Sequence, residues 1–97
     1  MRRIPMREVP GDAPIEVLRY SEVLREVIRR PLNPQQGATI EEIRQSVRVL
    51  DALDAANGTL ELEDADYEHL KAKTLAMPWN VIDRRLVQLV DEVLGAE

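Results

Sequence analysis

The sequence predicts a mainly α fold: a four-helix small domain with an extended N-terminal arm and room for a minimal two-stranded β ribbon. Three observations predict it. Apolar residues recur at helical spacing in four separate stretches. Proline and glycine punctuate the intervals between them. The core must be aliphatic, because Tyr20, Tyr67 and Trp79 are the only aromatic residues among 97. A chain of this length makes one domain. Its hydrophobic share of 44% and charged share of 32% suit a globule and are too apolar for a disordered segment.

The arm covers residues 1–14 and the helical domain residues 15–97. Pro5, Pro10 and Pro14 forbid a stable helix in the arm, and Pro10-Gly11-Asp12 is a turn signal. Ile4 and Met6, with Val9, offer one apolar edge to the domain, although a loosely tied arm suits the same residues. The first helix is expected from Tyr20 or Ser21 to Arg30, with Tyr20, Val23, Leu24, Val27 and Ile28 on one face and Pro31 stopping it. Residues 31–38 (PLNPQQGA) form a loop.

Thr39 and Glu42 have the spacing of a capping box for the second helix: the hydroxyl accepts from the Glu42 backbone and the carboxylate reaches back. Ile40, Ile43, Val47, Leu50 and Leu53 make the expected inward stripe, with Glu41, Arg44, Arg48 and Asp51 toward water. Asn57-Gly58 stops this helix. The alternation in Thr59–Leu62 fits a short strand, which can pair with the segment around Ile4. A third helix is expected to be capped by Asp64 and to run to about Ala76, with Leu70 and Leu75 inward and Ala65, Tyr67, Ala72 and Met77 as further inward residues. Asn80 is the expected cap of a fourth, Val81 to Leu94, that turns Ile82, Leu86, Leu89, Val90, Val93 and Leu94 inward and ends at Gly95.

The net charge of −5 repels phosphate backbones and anionic membrane surfaces, which argues against direct nucleic-acid or membrane binding. The signs are segregated. Seven arginines precede residue 31, whereas Asp51 to Asp66 carries acids and no base. Two solvated faces, or two docking patches of opposite sign, would both produce that pattern. With no cysteine there is no disulfide framework or thiolate chemistry. The basic N-terminus has no apolar run behind it, so no signal peptide is expected, and no stretch approaches the length of a membrane span. A soluble, cytoplasmic protein is the corresponding expectation.

Catalytic patterns find little to work with, and no enzyme and no cofactor are expected. The single histidine, His69, has no cysteine or second histidine with which to hold zinc, and its spacing suits an ordinary surface residue. Placing Gly58 at the sixth position of a calcium loop puts Leu53 and Ala55 where oxygen ligands belong. The acids Glu61, Glu63, Asp64, Asp66 and Glu68 suit the positive end of a helix as well as they suit a metal. The four glycines are too far apart for a phosphate loop, and Ser21 and Ser46 sit in no nucleophile elbow. The helices flanking Thr59–Leu62 are too far apart for a DNA-reading pair.

Four segments carry a family resemblance: Tyr20–Leu24 (YSEVL), Gly37–Arg44 (GATIEEIR), Val49–Leu53 (VLDAL) and Leu60–Tyr67 (LELEDADY). In this order, over roughly residues 20 to 94, they resemble short acidic helical proteins encoded in the virion-assembly gene blocks of tailed phages and prophages. The resemblance implies a virion-assembly or virion-associated role through protein contacts, the partner being a phage structural protein or a further copy of the chain. The residues expected to meet a partner are Arg2, Arg3 and Arg7 on the arm, Glu61, Glu63, Asp64 and Asp66 on the acidic rim, and Trp79 at a helix junction. The composition also suits a different role, an acidic inhibitor that fills a basic nucleic-acid groove on a host protein.

Overall fold

The computed structural model describes residues 1–11 and 17–96. In chain order the elements are β1 (Arg2–Pro5), β2 (Glu8–Pro10), β3 (Val17–Arg19), α1 (Tyr20–Arg29), α2 (Ile40–Ala55), β4 (Thr59–Leu62), α3 (Asp64–Ala76) and α4 (Arg84–Leu94). Among the described residues the fold is therefore mixed, four helices with two small two-stranded sheets, where the sequence predicts a mainly α domain with room for one ribbon.

β1 pairs antiparallel with β4, setting Ile4 opposite Leu60 and Arg3 opposite Glu61. Alternation sends Leu60 and Leu62 into the core and leaves Thr59 and Glu61 in water, as the sequence pattern predicts. Ile4 and Leu60 are both wholly buried, so β1 is an integral part of the core. Beyond Pro5 the chain stays attached, Met6 N–H donating to the Gly58 carbonyl at 2.9 Å. Gly58 has φ +82°, a left-handed turn that matches the stop expected at Asn57-Gly58. The second ribbon, β2 with β3, sets Val9 opposite Leu18. Their burial alternates, but the sequences EVP and VLR do not, and three residues each is too short to read from sequence. The expected arm boundary at Pro14 and the turn residue Asp12 lie outside the described residues.

α1 buries Tyr20, Leu24, Val27 and Ile28, the face its spacing predicts, with Val23 half-buried. α2 is capped at Thr39, whose hydroxyl accepts the Glu42 N–H at 3.2 Å. The reciprocal half of the box is not made: Glu42 Oε2 instead accepts from the Leu32 N–H at 3.1 Å. The larger departure is rotational. α2 buries Ser46, Val49 and Leu53, leaving Ile40, Ile43 and Val47 exposed and Leu50 half-buried. Two stripes of helical spacing run along this helix about 100° apart, and the polar residues of one of them have partners only inside.

α3 opens at Asp64, with Glu63 in the cap position and making no side-chain cap bond, so Asp64 is not the cap. Tyr67 and Leu70 are buried as expected, but so are His69, Lys73 and Thr74. Leu75, Ala65 and Ala72 are exposed and Met77 half-buried, because the inward face turns to meet α1 and α2 through Lys73. α4 begins three residues later than expected. Asp83, not Asn80, caps it by accepting the Arg85 N–H at 2.9 Å, and Ile82 precedes the helix fully exposed. Leu86, Leu89 and Val93 are buried, Val90 and Leu94 half-buried. Tyr67 Oη donates to the Val93 carbonyl at 2.7 Å, tying α3 to the end of α4.

Candidate interaction face and the polar cluster beneath it

The outer side of α2 presents Ile40, Ile43 and Val47 at i, i+3 and i+7, with 60%, 45% and 46% of their surfaces exposed. Leu50 continues the stripe, half-buried, and Leu32 stands exposed in the preceding loop. Between α1 and α2 the stripe borders a groove whose walls include Arg29, Pro31, Ile43 and Val47 and whose floor includes Ser46 and Lys73. A second depression, on the far side of Pro31, is lined by Arg30, Leu32, Pro34, Ala76, Met77 and Pro78 among others. Arg29 and Arg30, exposed at the C-terminal end of α1, form no ion pair among the described residues. Cations are electrostatically favoured there by the negative end of the helix dipole.

A buried polar cluster lies under this face and explains why α2 is rotated. Lys73 Nζ donates to the Ile28 carbonyl at 2.7 Å, to Ser46 Oγ at 3.0 Å and to Glu42 Oε2 at 3.2 Å, which uses all three ammonium protons. Ser46 Oγ, 2.9 Å from His69 Nε2, accepts from Lys73 and so has its own proton for the imidazole. The hydroxyl keeps a second lone pair as well as its proton, so the contact forms with either tautomer of the imidazole. Burial holds the His69 pKa below its ordinary value, and the Lys73 ammonium adds to that. Burial alone would raise the Glu42 carboxyl, but the Leu32 N–H and the Lys73 ammonium bring it below the usual range.

Serine, histidine and lysine within hydrogen-bond reach are also the ingredients of nucleophilic catalysis. Ser46 lies within the regular α2 helix rather than on a strained turn, and each of the three donates or accepts inside the cluster. The arrangement ties the end of α1, the 31–38 loop, α2 and α3 together. The sequence placed His69 at the surface; it is buried where α3 packs on α2 and Ser46 meets its ring. Glu42, Ser46, Val49 and Leu53 do share one helical face, but two polar members keep that face from reading as inward.

Several of the residues expected to meet a partner are engaged within the chain. Arg2 pairs with Asp64 at 3.4 Å, lies over the Tyr67 ring at 5.1 Å and donates to the Ala96 carbonyl at 3.0 Å. Arg3 stands across the ribbon from Glu61, Arg7 pairs with Glu92 at 2.7 Å, and Arg48 pairs with Asp66 at 3.1 Å. The β1–β4 pairing brings the basic arm and the acidic rim to one place instead of two opposed patches. Glu63 remains exposed, and Trp79 is half-buried against the edge of the core. Among the described residues no three acids or histidines gather as a metal site, and no helix is long and apolar enough to cross a membrane. Comparison with protein-family models, curated proteins and solved structures finds no match.

Proposed function

We propose that this chain is a protein–protein interaction protein whose docking surface is the outer face of α2, acting as a virion-assembly or virion-associated factor. The uncovered row Ile40, Ile43 and Val47 carries the reading. Single exposed apolar residues are ordinary, whereas an ordered row beside a groove is the kind of patch that partners cover. Covering roughly half of each of three such side chains is worth about 3 kcal/mol, at ~2 kcal/mol for a fully buried Val or Ile. The folded monomer forgoes that stabilisation and a partner recovers it. The phage setting rests on the YSEVL, GATIEEIR, VLDAL and LELEDADY segments alone.

The test is affinity capture from the native source with the wild-type chain and the Val47→Asp variant in parallel, the recovered proteins being identified by mass. Val47 faces water, so the variant should melt within about 2 °C of wild type. Phage structural proteins or further copies of the chain, recovered by the wild type and lost from the variant, are the expected result. An unchanged set of captured proteins would remove α2 from the docking surface.

A further inference from the structure

We propose that the occupant of the α2 face is a second copy of this chain, packed with the two α2 helices antiparallel about a two-fold axis at the level of Gln45. This rests on the α2 docking reading above.

Spacing is the first argument. Ile40, Ile43, Val47 and Leu50 follow the 3-4-3 rhythm of a helix–helix seam. The row is also nearly palindromic. A two-fold at residue 45 sets Ile43 of each copy against Val47 of the other, and Ile40 against Leu50. A two-fold contact requires such a self-complementary patch.

Charge is the second argument. α1 runs antiparallel to α2, with Arg25 pairing Asp54 at 2.6 Å and the Ile28 carbonyl joined through Lys73 to Glu42. Arg29 and Arg30 therefore stand at the N-terminal end of the apolar row. Asp51, exposed and unpaired among the described residues, stands at its C-terminal end. Antiparallel packing sets the basic end of each copy's row at the level of the acidic end of the other's. Parallel packing would oppose arginine to arginine and aspartate to aspartate.

Size sets the strength. Sixteen residues of helix run about 24 Å. Such a face offers roughly half of the ~800 Å² per partner that a standard interface buries. The dimer is thus weak, dissociating at micromolar concentrations.

Sedimentation equilibrium on the full chain should show the mass rising from 11.1 kDa toward twice that value as concentration increases. Asp51→Arg alone, or Arg29→Asp with Arg30→Asp, should weaken association about tenfold, and mixing the two variant chains should restore it. A chain that stays monomeric at millimolar concentration, or a mixture that fails to associate better than either variant, overturns the two-fold dimer. A photo-crosslinking residue placed at Val47 in native cells separates the two readings. An adduct of twice the chain mass supports the dimer. An adduct with a different protein overturns the second-copy inference and leaves the docking face standing. No adduct at Val47 overturns both.

Discussion

Lys73 is the residue on which most of the buried chemistry depends. Its three donors serve an α1 carbonyl, an α2 hydroxyl and an α2 carboxylate. Lys73→Met keeps the volume and removes every donor, leaving Glu42 charged and short of a partner in a half-buried place. The expected loss is about 3 kcal/mol by urea unfolding, a large part of a small domain's stability. His69 makes the cluster sensitive to pH, being faced by Lys73 and Arg48 and by the acids Glu42 and Asp66. Its folded pKa lies below the ordinary 6.5, so the unfolded chain binds the extra proton first. Stability should therefore be full above that pH and fall as pH drops through 6.5 toward the folded value. Glu42, also depressed, adds its own loss below 4.5. His69→Gln should flatten the first part of the unfolding profile and leave the second; an unchanged slope between pH 7 and 5 would show that His69 is not the titrating group.

At the scale of elements, the rotation of α2 gives a sharp contrast between near neighbours. Val49 is wholly buried and Val47 is 46% exposed. Val49→Ala should cost about 2 kcal/mol, whereas Val47→Ala should stay within about 0.5. The reverse order of costs would mean that the helix sits on its other stripe. Ile4, on β1, carries a comparable weight: Ile4→Ala opens a cavity against Leu60 and should cost about 3 kcal/mol. A much smaller loss would show that the N-terminal strand adds little to the core. Thr39→Ala removes the cap of α2 and should cost about 1 kcal/mol on the same scale.

Across the whole molecule the charges segregated along the sequence come together in space. Arg2 with Asp64, Arg7 with Glu92 and Arg48 with Asp66 are pairs in which at least one partner is substantially exposed. Each contributes at most ~1 kcal/mol and is screened by salt. Lys73 with Glu42 is shielded, the two side chains being 4% and 13% exposed. Raising salt from 0.05 to 0.5 M should therefore change unfolding free energy by less than about 1 kcal/mol. A loss several times larger would mean that the surface pairs hold the fold together.

The four helices, the Thr39 cap, the stop at Gly58 and the β1–β4 ribbon were legible because each follows from local signals: periodicity, a capping pair, a left-handed turn and alternation. The sequence by itself determined which segments are helical and that the core is predominantly aliphatic. It did not determine which of two stripes α2 buries. Periodicity reports that a face exists, and a polar residue such as Ser46 or Lys73 reads as outward until its partners are known. Those partners lie 23 and 27 residues apart in the chain, and only packing brings them within 3.0 Å. The tertiary structure decided the orientation of α2, because a buried ammonium must have acceptors. In satisfying Lys73 it turned Glu42 and Ser46 inward and left Ile40, Ile43 and Val47 facing water.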